Sequence, residues 1–264
     1  MFSSPVYFKL RHSKPIYIGI ERKLYVENKK IFDSIMKAFT IEKSCNCKCL
    51  YLFANDSNFD KYESAFNCSS GKSWVYQCVA AIEDYVIHSL CVTALHAASV
   101  IYQKNTLIFL GERLSGKSTL THHMITENNC ILLDDDIVFW DSQDIMGLGM
   151  PLRMRSKPAV GSVVCEFFDE KNKMRYLTDV GRWSMHATKA VYAFFLNYNN
   201  FENNVCLAKG NLLFESLLKS VRFSTNNMIA FKDVCSVMRD IPIYNLKYRD
   251  SKTACDLINQ ILKI

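Results

Sequence analysis

The segment from residue 107 to residue 140 constrains the fold of this chain more than any other. An apolar run, Leu107 to Leu110, leads directly into Gly111-Glu-Arg-Leu-Ser-Gly-Lys-Ser118. This octapeptide matches the phosphate-loop pattern G-x-x-x-x-G-K-[ST], which acts where a strand passes through a tight loop into a helix. A helix-like segment follows, and a second apolar run then ends in three aspartates. The order strand, loop, helix, strand predicts an α/β domain with a mixed central sheet.

The residue types in the loop suit the binding of a nucleotide phosphate. Glycines let the backbone curl so that its N–H groups point inward, and the following helix adds its positive N-terminal end. Lys117 is expected to reach the β- and γ-phosphates and the Ser118 hydroxyl to bind Mg²⁺. The predicted nucleotide-binding residues are Gly111, Glu112, Arg113, Leu114, Ser115, Gly116, Lys117, Ser118 and Thr119. The alternative is an ordinary glycine-bearing strand–helix turn.

Asp134, Asp135 and Asp136 follow the apolar run CILL, which we expect to be the next parallel strand. Ligands of open α/β sheets bind at the carboxyl ends of strands, so this cluster should lie beside the loop. One carboxylate could then hold Mg²⁺ while another accepts the proton of an attacking hydroxyl. The alternative is a helix cap followed by a solvated turn.

Two further candidates are less specific. His96 follows an apolar helical segment, where a lone histidine is often structural. Arg153 and Arg155 lie in the glycine- and proline-punctuated segment 146–155. Their guanidinium groups could reach a phosphate, or they could be ordinary surface residues.

Composition excludes several classes of protein. The 264 residues are 49% hydrophobic with a net charge of +6, enough for one large core or two smaller ones. No Lys- and Arg-rich run has the density expected of a nucleic-acid-binding protein. The longest apolar region, 86–102, is interrupted by polar residues, so we expect no membrane span. A homo-oligomer is compatible with the sequence.

The cysteines bear on the compartment of the protein. There are eleven, yet the N-terminus lacks the apolar core of a signal peptide, so we expect reduced thiols and a cytoplasmic protein. Cys45, Cys47 and Cys49 are spaced poorly for a tetrahedral zinc site and are interpreted as part of a turn, with metal binding as the alternative.

The chain is predicted to divide at residue 85. Residues 1–85 are expected to form a small mixed α+β lobe, either a recognition lobe or an edge sheet, and residues 86–264 the loop-containing domain. In order, the pattern predicts a hairpin, a helix, a strand, a long helix, a strand–turn–strand unit, two strands, a helical region, and a final strand and amphipathic helix. The respective residues are 6–11 with 15–21, 31–39, 49–55, 75–95, 96–106, 159–168 with 190–198, 221–240, and 242–262.

With these residues in place, the chain resembles the HPr kinase/phosphorylase-like kinases, relatives in fold of ATP-dependent phosphoenolpyruvate carboxykinase. In that family a histidine stands fifteen residues before the first loop glycine, as His96 stands before Gly111. The loop opens into a short helix, and a strand then ends in Asp-Asp-x-Val. Here that signature is Asp135-Asp136-Ile137-Val138, eighteen residues past Lys117. The resemblance covers residues 92–155 well and 240–264 weakly.

The resemblance implies a kinase that uses ATP and Mg²⁺, with Ser118 and Asp135 at the metal. It also implies catalytic roles for Asp135, Asp136 and His96, and we expect Arg153 to stabilise charge on the transferred group. Smaller members of the family act on ribosomally made peptides, so the expected partner is a protein or peptide with a serine acceptor. Counting from Lys117 instead favours Asp134 and Asp135 as the paired carboxylates, but we follow the Asp-Asp-x-Val pattern.

The loop departs from the family pattern G-x-S-G-x-G-K-S at its third and fourth positions, Arg113 and Leu114. We expect Arg113 to add charge near the phosphates and Leu114 to avoid positive φ. The departure keeps two alternatives open: a nucleotide-binding partner module with little turnover, and a small-molecule kinase.

Overall fold

A computed structural model describes most of the chain. The described residues are 4–12, 14–42, 49–54, 64–68, 73–90, 92–141, 144–187, 190–198, 201–208, 211–222, 232, 234–235 and 239–262. Cys45 and Cys47 of the cysteine cluster lie outside them, and Cys49 is buried.

The secondary structure is mixed α/β, with several mixed sheets and few helices among the described residues. The strands are β1 (Val6–Leu10), β2 (Tyr17–Ile20), β3 (Phe39–Glu42), β4 (Leu50–Phe53), β5 (Ser64–Asn67), β6 (Thr93–His96), β7 (Ala98–Tyr102), β8 (Asn105–Leu110), β9 (Ile131–Asp134), β10 (Ile137–Asp141), β11 (Asp144–Met146), β12 (Leu152–Met154), β13 (Ser162–Phe168), β14 (Met174–Asp179), β15 (Ala190–Tyr198), β16 (Asn204–Leu207), β17 (Val221–Arg222) and β18 (Ile243–Tyr248). The helices are α1 (Arg22–Glu27), α2 (Lys29–Ile35), α3 (Trp74–Leu90), α4 (Lys117–Asn128), α5 (Asn211–Ser220) and α6 (Ser251–Leu262).

The chain forms two compact units that are not contiguous in sequence. The first comprises residues 1–90 and 153–179, and the second comprises residues 91–152 and 180–264. The sequence placed one boundary at residue 85 and assigned everything beyond it to a single domain. The structure differs because β13 and β14 pack with the N-terminal segment, where the side chain of Lys37 forms an ion pair with Asp179 at 2.5 Å.

The first unit contains a five-stranded sheet in the order β3-β1-β2-β4-β5 and a three-stranded sheet in the order β12-β14-β13. The predicted N-terminal hairpin is confirmed, since β1 and β2 pair antiparallel with Val6 opposite Ile20. The predicted long helix is also confirmed as α3, although it ends at Leu90. Its buried face is apolar apart from Glu83, which is 1% exposed.

The second unit is built on a six-stranded sheet in the order β16-β18-β15-β8-β7-β9. β8 and β15 are central and pair in parallel, and β18 continues the parallel set. The apolar run in β8 is buried on both faces, as expected for a central strand between covered faces. A buried apolar cluster packs Ile108 and Leu110 of β8 and Leu133 of β9 together with residues of β6 and β10.

A tight hairpin joins β7 to β8, as the sequence predicted. Its two turn residues, Gln103 and Lys104, have φ values of 49° and 70°. Positive φ at both central residues is the geometry that matches the right-handed twist of paired strands. The hairpin therefore carries the chain straight into the 111–118 loop.

A second sheet of this unit has the order β11-β10-β6-β17. The segment 75–95, predicted as one helix, thus ends in a strand, because Thr93–His96 pairs with β10. The C-terminal strand and helix are confirmed as β18 and α6, with Ala254 and Ile258 buried. The helical region predicted for 221–240 falls mostly outside the described residues, and its first two residues form β17. No described helix is long and apolar enough to span a membrane.

Candidate functional site

The 111–118 loop and the three aspartates lie at the same edge of the six-stranded sheet. β8, β15 and β18 are mutually parallel, and β9 points the same way because antiparallel β7 lies between β8 and β9. β9 was predicted to be the next parallel strand, but it is one strand further out. Both candidate segments nevertheless follow strands whose carboxyl ends meet at one edge, where ligands of such sheets bind.

The loop backbone requires glycine at its first and sixth positions. Gly111 has a φ of +146° and Gly116 a φ of +92°. A Cβ on Gly111 would lie 2.6 Å from the Ser115 Oγ atom and 3.1 Å from the Leu196 carbonyl oxygen. The Ser115 hydroxyl is buried and has no hydrogen-bond partner among the described residues. A curled backbone around an unsatisfied hydroxyl fits a polar, oxygen-rich ligand such as a phosphate.

Leu114 contradicts one prediction, because its φ is +80°. A non-glycine residue in this region costs about 1–2 kcal/mol. The Ser115 backbone N–H donates to the Glu112 carbonyl oxygen at 3.1 Å, and this turn sets the local backbone course. Closure of this turn therefore outweighs the preference of leucine for negative φ. The side chain of Leu114 is 67% exposed.

The buried side chain of Lys117 contacts the loop backbone. The residue is 8% exposed, and its Nζ atom donates to the carbonyl oxygens of Gly111 at 2.7 Å and Glu112 at 3.2 Å. α4 begins at Lys117 with Gly116 as its N-cap and no side-chain cap. The first-turn N–H groups and the lysine ammonium therefore concentrate positive charge at this end of the helix.

The remaining loop side chains differ in their exposure. Ser118 is half-buried, whereas Glu112, Arg113 and Thr119 are exposed. The Ser118 hydroxyl is a candidate Mg²⁺ ligand. Among the described residues, no group of three or more His, Cys, Asp or Glu side chains is arranged to hold a metal. Mg²⁺ usually takes only one or two protein ligands and completes its shell with water and phosphate oxygens, so Ser118 and Asp135 suit that chemistry.

Tyr248, the last residue of β18, supports the loop from two strands away and was not predicted from the sequence. Its hydroxyl donates to the Ser115 carbonyl oxygen at 2.8 Å, and a Cβ on Gly116 would lie 2.5 Å from the same hydroxyl. Burial raises the pKa of Tyr248 well above its usual range, so the group stays a neutral donor. Because the carbonyl and N–H of a trans peptide point in opposite directions, this bond aims the Gly116 N–H away from Tyr248.

Asp134 organises the turn after β9. Its Oδ1 atom accepts the backbone N–H groups of Asp135 at 2.8 Å, Asp136 at 3.2 Å and Ile137 at 3.4 Å. Its Oδ2 atom accepts the N–H of Leu148 at 2.7 Å, and the residue is 1% exposed. These bonds give Asp134 a structural role in the turn, so Asp135 and Asp136 are the candidate pair of site carboxylates. Asp135 is itself 3% exposed.

Asp136 joins His96 and Arg222. The Nδ1 atom of His96 lies 2.9 Å from one Asp136 carboxylate oxygen, and the guanidinium of Arg222 donates to the other at 3.0 Å. β6 and β10 fix this geometry, since His96 is opposite Ile137 in their antiparallel register. A carboxylate only accepts hydrogen bonds, so the Nδ1 atom of His96 is the donor in this contact.

Arg153 and the 111–118 loop belong to different units. Arg153 belongs to the first unit, where its guanidinium donates to the buried Glu83 at 3.0 Å. Arg155 is exposed. Arg222 contacts the predicted site carboxylate Asp136 and was not predicted from the sequence. No local motif marks either Arg222 or Tyr248, because they lie 86 and 133 residues from the groups they bind.

Comparison with known proteins gives structural likeness at a distant level only. No protein-family model matches the sequence, and no curated protein matches it significantly. Among solved structures, the chain is similar to the Hpr(Ser) kinase/phosphatase from Coxiella burnetii. The TM-score is 0.32 and the identity 13%, over 64% of this chain and 97% of that chain. Likeness at this level shows neither activity nor ligand.

Proposed function

We propose that this protein is an ATP- and Mg²⁺-dependent kinase that phosphorylates a serine hydroxyl of a protein or a ribosomally made precursor peptide. The observation that carries the proposal is the meeting of the 111–118 loop and the Asp134–Asp136 turn at one sheet edge. The loop supplies N–H donors and a lysine, and the turn supplies carboxylates. Phosphoryl transfer depends mainly on positioning and charge stabilisation, for which this donor set is suited.

The residues of the loop would bind the phosphates. The N–H groups at the start of α4 and the ammonium of Lys117 face the same end of the helix, where an anion is favoured. Ser118 and Asp135 would hold Mg²⁺, which neutralises charge on the phosphates when bound. The Lys117 contacts to Gly111 and Glu112 keep the ammonium in place before a ligand arrives.

The His96–Asp136 pair is the proposed proton acceptor for the serine hydroxyl. Both Asp136 oxygens already accept hydrogen bonds, one from His96 and one from Arg222. Because His96 and Asp136 are in direct contact, the proton is assigned to the pair rather than to one carboxylate. Arg222 takes the electrostatic role that the sequence assigned to Arg153.

Transfer of label from [γ-³²P]ATP to serine-containing peptides tests the kinase directly. We expect Lys117→Ala to abolish labelling, because the ammonium over the loop is lost. Lys252→Ala, which removes an exposed lysine from α6, is the matched control and should retain full labelling. Labelling by Lys117→Ala at the wild-type rate would refute the proposed site.

A nucleotide-binding module with little turnover is the second candidate. It is favoured by the strained backbone of Leu114 within the loop, since a distorted cradle could bind phosphate without aligning it for transfer. Thermal stabilisation by ATP and Mg²⁺ without any labelled product would support this module. A measurable turnover rate would exclude it.

A further inference from the structure

We propose that Tyr198 is the platform on which the base of the bound nucleotide stacks. This inference rests on the proposed nucleotide binding by the loop and adds a subsite to it. Tyr198 is the last residue of β15 and is 53% exposed. Single exposed aromatic residues are common on protein surfaces, so the location of the ring, rather than its exposure, carries the argument.

Tyr198 lies beside the start of the loop. β15 pairs in parallel with β8 up to Phe195 and Leu110, the residue before Gly111. The position of a Cβ on Gly111 is 3.1 Å from the Leu196 carbonyl oxygen, so Leu196 is adjacent to the first loop glycine. Residues two apart on a strand share a face of the sheet. Tyr198 is therefore on the same face as Leu196 and two residues closer to the sheet edge at which the loop lies.

The ring is also held in a fixed relation to the loop. In the parallel register Tyr198 is opposite Tyr248, and the two rings meet edge to face with centroids 5.7 Å apart and an interplanar angle of 67°. Tyr248 in turn donates to the Ser115 carbonyl oxygen at 2.8 Å. An unbroken series of contacts thus connects the phosphate loop to Tyr198, which gives a preorganised spacing between a phosphate site and a stacking surface.

The chemistry of stacking predicts low discrimination between bases. An aromatic ring offers a π face to any base, and such stacking contributes binding without reading hydrogen-bond edges. We therefore expect the site to bind nucleoside triphosphates with little preference for the base, and ATP and GTP to bind similarly.

Calorimetric titration of ATP and of inorganic tripolyphosphate, each with Mg²⁺, tests the platform. Tyr198→Ala should weaken ATP binding about tenfold, the loss expected for one base–aromatic stack, and leave tripolyphosphate binding unchanged. Tyr198→Phe keeps the ring and should bind ATP like the wild type. Leu207→Ala is the matched control, since it removes a 50% exposed apolar side chain opposite Tyr244, away from the loop edge.

The outcomes separate this inference from the proposed function. If the wild type binds neither ligand, the nucleotide site itself is wrong and the platform falls with it. If the wild type binds both but Tyr198→Ala binds ATP unchanged, or loses both ligands equally, the platform alone is refuted. Selective loss of ATP affinity, restored in Tyr198→Phe, supports it.

Discussion

Gly116 and Tyr248 should be energetically coupled, and the structure gives the sign and size of the coupling. In Gly116→Ala the new Cβ would lie 2.5 Å from the Tyr248 hydroxyl, while the next ring atom, Cζ, is 3.6 Å away. Real Cβ atoms do not approach an oxygen so closely, so the ring must move. Movement breaks the hydrogen bond from Tyr248 to the Ser115 carbonyl oxygen. Without the hydroxyl, the alanine meets only an ordinary van der Waals contact.

The expected costs follow from these contacts. Alanine at a φ of +92° costs about 1 kcal/mol in backbone strain, and loss of the buried hydrogen bond costs about 1 kcal/mol more. Tyr248→Phe alone loses the same bond, again about 1 kcal/mol. The bond is lost only once in the double variant, so its total should fall short of the sum by about 1 kcal/mol.

Urea unfolding of the full chain measures the three free energies of unfolding. Gly181→Ala supplies the control, because Gly181 has a φ of +77° and a Cβ there meets nothing within 4 Å. It should cost only the backbone strain and be additive with Tyr248→Phe. If Gly116→Ala and Tyr248→Phe were also additive within about 0.5 kcal/mol, the proposed support of the loop by Tyr248 would be wrong.

Three further predictions concern single carboxylates and the strained loop residue. Burial acts to raise the pKa of Asp169, but hydrogen bonds from Lys173, Arg175 and Lys171 lower it to about 2. Because this pKa is lower in the folded state, the ionised carboxylate stabilises the fold at pH values above its ordinary pKa near 3.8. This stabilisation is lost as the pH falls toward 2. Asp169→Asn should therefore lower the free energy of unfolding by roughly 2 kcal/mol at pH 7 but hardly at pH 2, and a pH-independent loss in urea titrations would contradict this. In urea titrations, the free energy of unfolding of Leu114→Gly should exceed that of Leu114→Ala by roughly 1 kcal/mol. Both variants remove the exposed side chain, but only alanine is strained at positive φ. Equal free energies of unfolding would count against strain at this position. Asp134→Asn should lower the free energy of unfolding, followed by thermal melting, by roughly 2–3 kcal/mol, because an amide nitrogen cannot accept a hydrogen bond from a backbone N–H. The control Asp256→Asn changes an exposed carboxylate and should melt like the wild type.

Local patterns predicted the elements that depend on neighbouring residues. The β7–β8 hairpin and the strand–loop–helix order around Gly111 were readable because apolar runs, turn residues and glycines lie within a short stretch. The role of Asp134 was not readable, because its partner Leu148 lies in a different segment. Three adjacent aspartates look equivalent in sequence, and only the fold separates the turn-forming carboxylate from the other two.

Long-range contacts account for what the sequence did not predict. Tyr248 and Arg222 reach the site edge through strand pairing, which no spacing rule encodes. The φ of Leu114 was mispredicted for the opposite reason, since a residue preference of about 1–2 kcal/mol was outweighed by the turn that closes the loop. The interrupted first unit was also missed, because β13 and β14 carry no mark of the segment they pack against.

That interruption sets an order of events during synthesis. Lys30 donates to the carbonyl oxygen of Val163, and Lys37 pairs with Asp179, across 133 and 142 residues of chain. Contacts of such separation form late, because the intervening chain must first be made and its loop closed. The N-terminal segment therefore leaves the ribosome before the strands that complete its unit exist. It has to wait, with part of its packing surface uncovered, until residue 179 has emerged.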